Sequence, residues 1–133
     1  MTGAAQLPRE ARQERMPDTF AQLVAKVHAR TRRFPDHNGP FERLARLLEE
    51  AGELAPQVNH AEGTGVKVAK LGRFDPAKMG KEIEDVLRTA LGIAVHYDLV
   101  DDVRAGIAAH YANHVALGLI DAPHDPPAGR SPR

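Results

Sequence analysis

The chain has 133 residues with 18 basic and 18 acidic side chains, so its formal charge is zero and nothing favours a nucleic-acid polymer as partner. Cysteine is absent, which excludes disulfides, thiolate zinc sites and thiol catalysis together. The hydrophobic share of 42% beside 27% charged and only 5% aromatic residues describes a one-domain globular chain with an aliphatic core.

Residues 1–17 lack apolar periodicity and end at Pro17, so they read as a disordered leader. Arg9, Arg12 and Arg15 there alternate with Glu10 and Glu14, and no apolar run follows, which is not the pattern of a signal peptide. No stretch approaches the roughly 18–20 apolar residues that span a bilayer. The longest candidate, Ala90 to Val95, is closed by Thr89 and His96. The expectation is a soluble cytoplasmic protein with no membrane partner.

Four helical patterns fill residues 18–120. Asp18 caps the first, which runs to about Arg33 with Phe20, Leu23, Val24 and Val27 as its stripe. A turn follows at residues 35–39, and Pro40 fits the first position of a second helix reaching about His60. Pro56 is expected to kink that helix just beyond Glu53. Gly63 and Gly65 break the pattern, and a Lys-bearing connector continues to Phe74. Asp75 and Pro76 then open a third helix to about Tyr97. Asp101 or Asp102 starts a fourth, ending near Gly118. Residues 121–133 hold four prolines and no large apolar side chain, the composition of a disordered tail.

The second and third helices carry acidic clusters, Glu49-Glu50-x-x-Glu53 and Glu82-x-x-Asp85. At about 100° per residue, Glu50 and Glu53 share one side of their helix, as do Glu82 and Asp85. Each pair flanks an apolar stripe. The second helix offers Leu44, Leu47, Leu48, Ala51, Leu54 and Val58, and the third Met79, Ile83, Val86, Ala90, Ala94 and Tyr97. If those stripes pack together, four carboxylates meet at one edge of the seam. Such a cluster repels itself unless a hard cation neutralises it, and Mg2+ is favoured, with Mn2+ also fitting. The competing reading is a pair of solvated acidic faces, with Glu49 paired to Arg43 or Arg46.

On these motifs the chain resembles the MazG-like, all-α nucleoside triphosphate pyrophosphohydrolases, over about residues 18–118. The resemblance implies a four-helix bundle, and exposed apolar helix faces on so short a chain point to its completion by pairing into a homodimer or homotetramer. It implies that Glu50, Glu53, Glu82 and Asp85 hold the metal. It implies that Glu49 orients or deprotonates the attacking water. It implies hydrolysis of an NTP or dNTP to the monophosphate and pyrophosphate. Phosphoribosyl-ATP pyrophosphohydrolase shares the same motifs and stands as the enzyme alternative. A helical interaction module without turnover is the non-enzyme alternative. Many relatives carry Lys and then Asn in the last helix; here Asn113 is present without the Lys. Tyr111 is a candidate to stack on a base, and Lys67 and Lys70 in the connector are candidates for phosphate contacts. His110 and His114 sit four apart, a spacing that also suits packing or a subunit contact better than zinc.

Overall fold

A computed structural model describes residues 16–65, 70 and 72–121. Residues 1–15 of the expected leader (1–17), Lys67 and residues 122–133 of the expected tail (121–133) lie outside the described residues. Among the described residues the regular structure is four long helices with no strand: α1 (Thr19–Arg33), α2 (Pro40–Glu62), α3 (Pro76–His96) and α4 (Val100–Ala116). The chain divides into two compact units, one running to Val100 and one beginning at Asp101, so α4 belongs almost wholly to the second.

The helix ends follow from local chemistry. Asp18 Oδ1 accepts the Ala21 N–H at 2.8 Å, satisfying one of the donors that a helix start leaves without partners. Arg30, Arg32 and Arg33 crowd the last turn of α1, where cations meet the negative end of the helix dipole. Pro40 occupies the start of α2, and Glu42 turns back to accept the Gly39 N–H at 2.7 Å. α2 closes on Gly63, whose φ of 68° is a left-handed conformation that glycine adopts without penalty. The next amide, Thr64, donates to the Asn59 carbonyl at 2.8 Å, completing the capping turn. α2 is continuous through Pro56. α3 repeats the α1 solution, with Asp75 Oδ1 accepting the Ala77 N–H at 3.0 Å ahead of Pro76.

In the first unit, α3 packs against both α1 and α2. The seam is thin. Among the described residues Val27 of α1 and Ala94 of α3 are the buried apolar side chains, at 4% and 8% exposure, and none is fully buried. The stripe expected to form the core is therefore only partly inside. Leu47, Leu54 and Val86 are half-buried, but Leu44, Leu48, Ala51, Val58, Ile83, Ala90 and Tyr97 are exposed. Periodicity places these residues on one side of a helix; it does not supply a neighbour to cover them.

Candidate metal centre

Antiparallel packing of α2 on α3 places the turn around Glu50 and Glu53 beside the start of α3. Glu50, Glu53 and Glu82 each contribute a carboxylate oxygen to a group whose members all lie within 4.8 Å of one another. Glu50 and Glu82 are half-buried and Glu53 is exposed, so the group opens to solvent on one side. Glu50 Oε2 and Glu82 Oε2 are buried and have no hydrogen-bond partner among the described residues. A buried carboxylate oxygen without a donor carries a desolvation cost of order 1–3 kcal/mol or more. Burial pushes the Glu50 carboxyl above its ordinary pKa, and the charges of Asp85, Glu53 and Glu82 push the same way, against Arg88.

Asp85 stands beside this group rather than in it. Lys81 Nζ donates to Asp85 Oδ2 at 2.9 Å, and Arg88 Nη2 to Oδ1 at 3.5 Å. Burial alone would raise the Asp85 carboxyl, but the Lys81 hydrogen bond and charge, with Arg88, outweigh it and hold the group below the usual aspartate range. Asp85 is thus kept ionised by cations of its own helix. Those i,i+4 and i,i+3 neighbours were available in the sequence, and helix spacing alone identifies them.

Glu49 is exposed and lies outside the three-carboxylate group. Its expected alternatives, Arg43 and Arg46, are turned elsewhere. Arg43 donates to the carbonyls of Asn38 and Gly92, and Arg46 to the Asn38 side chain and the His37 carbonyl. Backbone carbonyls of the 37–38 turn and of α3 are preorganised acceptors, whereas an exposed carboxylate offers a pair of little net value. Lys70 is exposed, as are Tyr111, Asn113, His110 and His114 on α4. His60 anchors the far end of α2, with Nε2 2.7 Å from the Gly72 carbonyl and its ring edge-on to Phe74. Lys26 of α1 forms an ion pair with Glu84 of α3, tying those helices together.

The chain is 35% identical over 82 residues to the uncharacterized protein YpjD of Bacillus subtilis, an alignment covering 61% of this chain and 71% of YpjD. It belongs to the YpjD family. No protein-family model matches the chain, and no solved structure matches it.

Proposed function

We propose that the chain is a divalent-metal-dependent nucleotide pyrophosphohydrolase of the MazG-like type. One observation carries the reading: two helices bring an oxygen of each of three carboxylates within 4.8 Å of one another, and two of those carboxylates hold a buried oxygen that no donor among the described residues meets. Hard divalent cations take oxygen ligands of this kind and relieve the repulsion among them. Glu50, Glu53 and Glu82 would hold Mg2+, or Mn2+ by the same donor set. When bound, the ion would neutralise phosphate charge and make an acidic site hospitable to a polyphosphate.

The protein's own groups then have distinct roles. Lys81 and Arg88 add positive charge beside the carboxylates, and Asp85 keeps both aligned through its two oxygens. Glu49, exposed one position before Glu50, accepts a proton from the attacking water. The water oxygen bonds to the α-phosphorus of a nucleoside triphosphate as the bond to the α,β-bridging oxygen breaks. The products are the monophosphate and pyrophosphate. Such transfers need positioning and charge stabilisation more than covalent chemistry.

We assign the exposed apolar residues of α2 and α3 to contact with a second copy. Phe41, Leu44, Leu48, Ile83 and Leu87 stay open to solvent, with Phe41 at 84% and Leu48 at 64% exposure, while the core within one chain is thin. A homodimer, or a homotetramer built from it, would complete the bundle.

A second reading, a helical interaction module without turnover, is favoured by Asp85, whose carboxylate is already engaged by Lys81 and Arg88. A pyrophosphate-release assay over a nucleotide panel with Mg2+ separates the two. The enzyme releases pyrophosphate from at least one nucleotide, and Glu53→Gln and Glu82→Gln each lower the rate at least about 100-fold. Silence across the panel would leave only the interaction module. Turnover that survives both substitutions would show that other residues do the work.

A further inference from the structure

About two helical turns from the acidic group, toward the start of α2, lies a pocket of about 320 Å3. It is formed by α1, the 36–38 turn, α2 and α3, all in the first unit. Its charged lining is four arginines, Arg30, Arg43, Arg46 and Arg88, against one carboxylate, Asp36, with His37 beside them. Arg43 is buried, at 8% exposure. Its hydrogen bonds run to neutral acceptors: the Asn38 carbonyl at 2.8 Å, the Gly92 carbonyl at 3.2 Å and Thr31 Oγ1 at 3.4 Å. Arg46 also meets neutral acceptors, Asn38 Oδ1 at 3.1 Å and the His37 carbonyl.

No carboxylate among the described residues forms an ion pair with Arg43 or Arg46. A buried charge is costly unless a counter-charge meets it. Here two guanidiniums are neighbours, and burial first, then the charge of Arg46, holds Arg43 below its ordinary pKa. A guanidinium also presents five N–H donors, more than the three acceptors that Arg43 meets.

We propose that this pocket is a binding site for a phosphate-class anion, with Arg43 and Arg46 as its counter-charges. Planar guanidinium forks match phosphate oxygens in geometry as well as in charge. The volume sits at the lower end of the roughly 300–1,000 Å3 typical of ligand pockets, which is more than a bare phosphate needs. The pocket therefore suits inorganic phosphate or a phosphomonoester carried on a small molecule. The site requires no metal; Arg88 of its lining also donates to Asp85 beside the acidic group, so the test reads Arg46, which the pyrophosphohydrolase reading does not use.

The test is calorimetric titration of the metal-free full chain with inorganic phosphate at fixed ionic strength, beside sodium chloride as control. Phosphate binds at one site per chain, and Arg46→Gln weakens it at least tenfold. Arg32→Gln, which removes the same charge from α1 outside the pocket, leaves binding unchanged. Should Arg46→Gln fail to fold by circular dichroism, Arg30→Gln takes its place with a several-fold loss expected. Ribose 5-phosphate distinguishes the sources: tighter binding than phosphate assigns a phosphorylated small molecule, and equal binding assigns free phosphate. Absence of phosphate binding, an equal effect of chloride, or undiminished binding in the folded pocket variant overturns the proposal. Pyrophosphate release without phosphate binding would remove this site alone, and phosphate binding without release would remove the hydrolase alone.

Discussion

The guanidinium of Arg43, near the start of α2, donates to the carbonyl of Gly92, near the end of α3, at 3.2 Å across 49 positions of sequence. Gly92, having no side chain, leaves this approach uncrowded. A Cβ there would stand 3.3 Å from Arg43 Nη1 and 4.0 Å from Val27 Cγ1. The lack of a side chain at Gly92 thus leaves room for a charged group to cross the seam between two helices, in a pocket that the buried Val27 also lines.

Gly92→Val should therefore overpack this crossing and cost about 2 kcal/mol of stability. Arg43→Met should cost about as much, because the Gly92, Asn38 and Thr31 acceptors lose their donor. Urea unfolding of the full chain measures both. A loss of less than a few tenths of a kcal/mol in each would mean that the crossing carries no weight.

Glu50 gives a pH dependence with a definite sign. Its folded pKa lies above the ordinary glutamate value of about 4.3, so the folded chain holds more protons than the unfolded chain between that value and the raised one. Stability conferred at low pH is lost as pH rises through this window. Without metal, Glu50→Gln should melt higher than the parent at pH 7, and the gap should close toward pH 4 (about the ordinary glutamate range). Saturating Mg2+ should raise the melting temperature of the parent more than that of the variant, and chelation should reverse the gain. A parent that melts above the variant without metal would contradict the buried, donor-less placement of this carboxylate.

Asp85 has the opposite sign. Its folded pKa is depressed, so its contribution is present above the ordinary aspartate value of about 3.9 and is lost as pH falls through the folded value. Asp85→Asn should be less stable than the parent at neutral pH, with the difference vanishing in strong acid. Thermal melts across pH measure it; a difference that widens in acid would reverse the assignment.

These two carboxylates show what was legible in the amino-acid order. The helix starts were readable because Asp18, Asp75, Pro40 and Pro76 act on neighbours a few positions away, and Gly63 ends α2 by the same local rule. The convergence of Glu50, Glu53 and Glu82 follows from spacing once α2 and α3 lie side by side. The engagement of Asp85 by Lys81 and Arg88 is a competition between partners on its own helix and partners across the seam, and periodicity does not rank them. Arg43 was hidden for a different reason. A polar residue beside an apolar stripe reads as solvent-facing, and its burial depends on the space left by Gly92 on another helix. The exposure of Leu44 and Leu48 likewise depends on which neighbour is present, not on their own spacing.

The open apolar face yields a prediction about mass. Leu48→Asp, placed on the exposed ridge of α2, should convert a dimer into a monomer in light scattering after gel filtration and should lower the melting temperature. In the parent, melting temperature should rise with protein concentration, as it does when folding and association are coupled. A monomeric parent at all concentrations would remove the second copy.

Asp18→Ala should cost about 1 kcal/mol, the usual value of an N-cap carboxylate, with no effect on pyrophosphate release. A loss of turnover in a folded variant would place the start of α1 beside the acidic group.

Arg43, Arg46, Glu50 and Glu53 all ride on one uninterrupted helix, and Pro56 falls beyond them. The seven-residue step from Arg43 to Glu50 is about 10 Å of rigid rod. A sliding or tilting α2 carries its cationic and anionic stations together, so their separation acts as a built-in gauge of length. Any molecule able to touch both stations at once would have to match that gauge.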